Sequence, residues 1–134
     1  MPTSETITML QRDSIRFKIA WISLTIIGVA IVVFGLIVTV WPGSSDTLFL
    51  RTIGVASIGM GLFGVMITVI PYRRRERWAW FTLWYYPIFW LAHFLGDLPP
   101  GQDHIHQIVF IIFSLASLLI SVREFFSRGM MRHM

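Results

Sequence analysis

Long apolar runs alternate with short polar blocks along this chain. Four stretches lack Lys, Arg and Glu and are long enough to cross a hydrocarbon core of ~30 Å, which takes about 20 helical residues. They run from Ile19 to Trp41, from Thr52 to Tyr72, from Trp78 to Leu98 and from Ile105 to Val122, the last continuing toward Phe126. The third holds a charge, Asp97, only at its far end. In lipid every backbone N–H and C=O needs a partner within the protein, so each stretch is predicted to be a helix. A transmembrane barrel would alternate in polarity, and these runs are apolar on both faces. The links are short and rich in turn residues: Trp41-Pro42-Gly43-Ser44-Ser45-Asp46, the basic hinge Tyr72 to Arg77, and Asp97 to His104 with Pro99, Pro100 and Gly101. Short links make successive helices antiparallel neighbours. The expected fold is therefore all-α, an up-down-up-down bundle of four transmembrane helices. It would have a cytoplasmic N-terminal segment 1–18, a single membrane domain 19–126 (spans near 19–41, 52–72, 78–98 and 105–126) and a cytoplasmic tail 127–134.

Composition agrees: 55% of the 134 residues are hydrophobic and 13% charged, too few charges to solubilise a domain of this length. Charge placement adds orientation. Arg12, Arg16 and Lys18 precede the first run, Arg73, Arg74, Arg75 and Arg77 lie between the second and third, and Arg123, Arg128 and Arg132 follow the fourth. All fall on one side of a four-span protein, and only Arg51 on the other. By the positive-inside rule both termini and the middle loop are cytoplasmic, as expected of a multi-pass protein of the cell (inner, cytoplasmic) membrane. The net charge of +4 is thus explained by the membrane surface, and no nucleic-acid partner is expected. The first apolar run is too long for the core of a cleaved signal peptide and no small-x-small cleavage site follows it. Residues 1–18, with Ile7, Leu10 and Phe17 at roughly helical spacing, suit either a short interfacial helix or a frayed tail. There is no Cys, which excludes disulfides, Cys-ligated iron–sulfur clusters and covalently attached c-type haem.

Four features bear on chemistry. The second run contains Gly59-Met60-Gly61-Leu62-Phe63-Gly64, a literal G-x-G-x-x-G. A dinucleotide fingerprint needs a preceding strand and a helix N-terminus, and here the glycines fall mid-membrane. Gly54, Ser57, Gly61 and Gly64 read instead as a small-residue stripe for close helix packing, which Gly28 and Gly35 of the first run are spaced to face. Ser114, Ser117 and Ser121 form a similar stripe with hydroxyls able to bond across helices. At the outer face, Tyr86, Trp90, His93 and Asp97 line one side of the third helix, and Asp103, His104 and His106 come next in the chain. His93, Asp97, Asp103 and His106 are the donor types a divalent metal accepts, or a His–Asp pair would shuttle protons. The plainer alternative is a helix-bonded His93, solvated loop residues and Asp103 as a helix cap. The third run is also densely aromatic. Pro87 within it should kink the helix by depriving the Leu83 carbonyl of its partner. Trp84, Tyr86, Pro87 and Trp90 mark a groove suited to a quinone, carotenoid, sterol or acyl chain. Finally, Arg73, Arg74, Arg75 and Arg77 are suited to lipid headgroup phosphates.

The Arg51-Thr52-Ile53-Gly54-Val55 start of the glycine-rich second run, the arginine hinge, and the Arg77-Trp78-Ala79-Trp80 opening of the aromatic third run resemble the small bacterial four-helix DoxX-like membrane proteins. The resemblance covers most of the chain and implies the four-helix topology. Some members of that group are subunits of oxidoreductases, but no catalytic residue carries over. No catalytic motif is present. The leading expectation is an accessory or structural subunit that acts by helix packing with other membrane subunits or with itself. The alternatives are an outer-face metal or proton site and a binder of an apolar ligand.

Overall fold

Helix α1, Ser4–Val40, begins at Thr3, whose hydroxyl accepts from the Thr6 N–H at 3.4 Å. It runs without interruption for 37 residues, about 55 Å at 1.5 Å per residue. The structure, a computed structural model, describes residues 1–43, 46–97 and 104–126, leaving aside the side chains of Leu10, Arg12, Asp13 and Ser14. The predicted Ser44-Ser45 link, the span end at Leu98, the Pro99-Pro100-Gly101 loop, Asp103, and the tail 127–134 with Arg128 and Arg132 lie outside the described residues. Every described element is helical. Residues 4–18 form neither a separate interfacial helix nor a frayed end. No Gly or Pro interrupts them, so they extend the first span as one rod.

Helix α2, Thr47–Ile67, starts five residues before the predicted Thr52, because Asp46 caps it by accepting from the Phe49 N–H at 3.2 Å. Arg51 thus lies inside the helix. α2 passes into a π-helical turn, Thr68–Tyr72, around Pro71, whose missing N–H breaks the regular ladder. The hinge then closes as a Schellman turn: Arg75 N–H bonds the Tyr72 carbonyl at 2.9 Å and Glu76 N–H the Pro71 carbonyl at 3.1 Å. Arg75 occupies the left-handed position of this turn with φ 60°, where glycine is usual. Its side chain compensates, lying 3.1 Å from Glu124 of the last helix and 4.6 Å over the Phe17 ring of α1.

The predicted third span is two helices, α3 (Arg77–Leu83) and α4 (Tyr85–Leu95), parted at Trp84. The break sits where the missing Pro87 N–H leaves the Leu83 carbonyl without its i+4 donor. Helix α5 is Ile105–Phe126. Among the described residues three segments are long and apolar enough to cross a membrane: Ile15–Val40, Thr47–Tyr72 and Ile105–Phe126.

The packing order is not the chain order. α1 packs along α2 and along α5, and α4 packs on α5. The α2 backbone nears the third segment only at α3 by the hinge; α2 and α4 Cα atoms nowhere come within 8 Å, and those two helices meet through the Tyr86 side chain. The buried side-chain core is drawn mainly from α1, α3, α4 and α5, with Leu24, Ile27, Ile31, Trp80, Trp90, Leu118 and Phe125 among it. Polar bonds tie the hinge end to α5. Trp80 Nε1–H donates to the Leu118 carbonyl at 3.0 Å, Arg77 Nε–H to the Phe125 carbonyl at 3.3 Å, and the Tyr72 hydroxyl to Ser121 Oγ at 2.6 Å. Tyr72→Phe removes the last of these but leaves Ser121 bonded to the Leu118 carbonyl. Its expected cost is about 1 kcal/mol, read as a lower unfolding midpoint in the same detergent.

Candidate functional site

Two clusters of glycines behave differently along one helix. On α2, Gly54, Ser57, Gly61 and Gly64 are buried on one face. A Cβ on Gly61 would lie 2.7 Å from the Gly28 carbonyl, and a Cβ on Gly35 would lie 2.9 Å from the Ile58 backbone nitrogen. Gly28 and Gly35 of α1 thus meet Gly61 and Gly54 within the chain, backbone against backbone. Gly64 serves another purpose: the space its side chain would fill is taken by the Tyr86 hydroxyl, which crosses from α4 and also lies against Gly28. Gly59 differs from both, since a Cβ there would meet nothing within 4 Å. The serine stripe is likewise internal. Ser114, Ser117 and Ser121 are buried on α5 and each donates to a carbonyl of its own helix, those of Phe110, Phe113 and Leu118. Only at Ser121, which accepts from Tyr72, is a bond across helices recorded for this stripe.

The open space beside Gly59 belongs to a cleft of about 370 Å³ between α2 and the broken third segment. Ala56, Gly59, Met60, Phe63, Gly64 and Ile67 form one wall, and Thr82, Leu83, Tyr85 and Tyr86 the other. It exists for two reasons already in place. α4 leans toward α5 after the break at Trp84, and α2 offers Ala56 and Gly59 where larger residues would have filled the gap. Phe63 and Tyr85 at its rim are 69% and 53% exposed, so the cleft opens sideways. Of the four residues predicted to form an apolar groove, Tyr86 lines this cleft. Trp90 is instead buried, stacked on Phe110 at 5.0 Å with its edge to Phe34 at 6.0 Å. Pro87 is buried, and Trp84 packs edge-on against Trp80 at 5.5 Å. The sequence located the aromatic helix, but its opening faces α2 one turn from Pro87.

The His and Asp residues predicted to share one face are dispersed among other partners. His93 Nδ1 pairs with the Phe89 carbonyl of its own helix at 2.9 Å, and its ring lies 4.1 Å from the Phe89 ring. α4 ends at Leu95, and Asp97 takes a left-handed conformation, φ 50°, which aspartate tolerates better than most residues. That turn brings its carboxylate 2.7 Å from His104 Nε2. His106 stacks on Phe34 at 5.5 Å. Among the described residues no three His, Asp or Glu side chains are grouped to hold a metal. Asp103 lies outside them. His104 is the residue the site prediction passed over, because its pairing depends on a backbone turn at Asp97 that spacing alone does not reveal.

The four hinge arginines also separate. Arg75 and Arg77 are held against α5, by Glu124 and the Phe125 carbonyl. Arg73 lies 4.6 Å over the Trp21 ring of α1. Arg73 and Arg74 are exposed and, with Val69 and Ile70, line a hollow of about 340 Å³.

Compared with protein-family models, with curated proteins and with solved structures, the chain matches none of them.

Proposed function

We propose that this chain is a multi-pass protein of the cell membrane that holds an apolar ligand in the cleft between its second and third crossings. In this reading α3 and α4 together make the third of four crossings. The 19 residues from Arg77 to Leu95 rise about 28 Å, close to the thickness of a hydrocarbon core. Both termini and the arginine hinge face the cytoplasm, which the distribution of Lys and Arg supports. This is also the layout implied by the resemblance to DoxX-like proteins.

The observation that carries the reading is the cleft itself: apolar walls, a lateral mouth between Phe63 and Tyr85, and a glycine facing empty space. Clefts of about 300–1,000 Å³ with mostly apolar walls are the usual form of small-molecule sites. A subunit role would need another interface than the glycine and serine stripes, since both are buried inside the chain. An acyl chain, an isoprenoid tail, a carotenoid or a sterol would suit the cleft.

Gly59→Leu tests this directly. The Cβ of the new side chain enters the cleft with nothing within 4 Å, and leucine favours a helix over glycine by up to about 1 kcal/mol. The variant should therefore melt no lower than the wild type, yet lose the apolar molecules that co-purify with it. Solvent extraction followed by mass spectrometry of both proteins checks this. Equal amounts of the same extracted molecules in the two would remove the reading.

A further inference from the structure

We infer that the occupant of the cleft is an anionic phospholipid, with its acyl chain between α2 and the third segment and its phosphate on Arg73 and Arg74. This rests on the reading that the cleft holds an apolar ligand and names which one. Ile67 is the α2 lining residue of the cleft nearest the hinge, and the cationic hollow begins only two residues later, at Val69. From Gly59 to Ile67 is eight residues, about 12 Å of α-helix, and the π-helical turn and the hinge carry the chain several ångströms further to Arg74. One leaflet supplies about 15 Å of hydrocarbon and the headgroup layer the remainder. Along the chain the two hollows thus follow in the order a phospholipid presents, acyl chain first and phosphate after it.

The charge beside the cleft favours a phosphate-bearing occupant over a neutral one. A carotenoid or sterol would leave Arg73 and Arg74 without a role there. Arg75 and Arg77 bond Glu124 and the Phe125 carbonyl, whereas Arg73 and Arg74 line the hollow. The Arg73 guanidinium lies 4.6 Å over the Trp21 ring, and guanidinium N–H groups suit bidentate phosphate binding. Two such cations near the surface favour a net negative headgroup over a zwitterionic one.

The test uses the full chain reconstituted in bilayers of equal phosphatidylcholine and phosphatidylglycerol, then extracted gently, with retained lipid counted by mass spectrometry. The wild type should retain phosphatidylglycerol in preference to phosphatidylcholine, roughly 30-fold for two arginines at the surface. Arg73→Gln with Arg74→Gln should retain lipid but lose that preference. Arg74→Gln alone, which leaves Arg73 on Trp21, should lose part of it and covers the case in which the double variant fails to fold. Gly59→Leu should retain no lipid of either kind. If the arginine variants keep the wild-type preference while Gly59→Leu is empty, the headgroup assignment is overturned and the cleft reading stands. If the wild type shows no preference, the assignment is likewise overturned. If Gly59→Leu retains lipid as the wild type does, the cleft reading and this inference fall together.

Discussion

Gly61→Leu is expected to destabilise the bundle by about 3 kcal/mol or more, at the upper end of what overpacking a close contact costs, while Gly59→Leu, two residues away on the same helix, costs nothing. The difference lies in what each side chain would meet. At Gly61 even a Cβ would sit 2.6 Å from Val32 Cγ2, 2.7 Å from the Gly28 carbonyl and 2.9 Å from the Val32 backbone nitrogen. A flexible side chain can rotate aside, but the two backbone atoms of α1 cannot, so the helices must separate. Separation forfeits the close contact that the paired glycines allow, which in a bilayer is a main source of helix association. Gly61→Ala meets the same atoms with less bulk and should fall between the two. Equilibrium unfolding in one detergent, or in bilayers by steric trapping, gives the order. Equal stability of the two leucine variants would show that α1 and α2 do not meet at Gly61.

These neighbouring glycines also show how far the sequence was legible. Periodicity placed Gly54, Ser57, Gly61 and Gly64 on one face, and that face is buried. Spacing also paired the stripe with Gly28 and Gly35, which the structure brings against it. Spacing does not distinguish a glycine packed on backbone (Gly61), one seating a side chain from a distant helix (Gly64) and one facing a cleft (Gly59), because that depends on which helices become neighbours. The hydropathy pattern located the first, second and last apolar helices but not two of their starts: α1 begins at Ser4 rather than Ile19, and α2 at Thr47 rather than Thr52, where Asp46 outweighs Arg51. Pro87 announced a kink, and the chain breaks at Trp84 as a missing N–H at Pro87 requires. The consequence of that break for packing was not legible: α4 turns to α5, and the cleft opens toward α2 rather than around Pro87 and Trp90. The hinge arginines read as four equal charges. The left-handed turn at Arg75 separates them into two that hold α5 and two that face outward.

A double-mutant cycle on Gly64 and Tyr86 should show strong coupling, because one residue is the seat of the other. Gly64→Ala puts a methyl where the Tyr86 hydroxyl and the adjoining ring carbon lie, so α4 must move away from α2. The expected cost is about 2–3 kcal/mol. Tyr86→Leu alone loses a buried ring, 2% exposed, at a cost of about 2 kcal/mol after the leucine offsets part of the loss. The combined variant removes the crowded atoms, so its cost should fall short of the sum by about 1–3 kcal/mol, the coupling typical of residues in direct contact. Tyr86→Phe separates packing from polarity. The hydroxyl has no hydrogen-bond partner among the described residues, and burying such a group costs about 1–3 kcal/mol, so its removal should leave stability unchanged or raised. It should not relieve Gly64→Ala fully, because the ring carbon stays crowded. Additive costs across the Gly64/Tyr86 cycle would mean that Tyr86 does not rest on Gly64. The cleft would then lack its inner wall, and Tyr86→Leu would not alter which molecules it retains. With the predicted coupling, Tyr86→Leu deepens the cleft toward Gly28, and bulkier apolar molecules should be retained in place of the native ones.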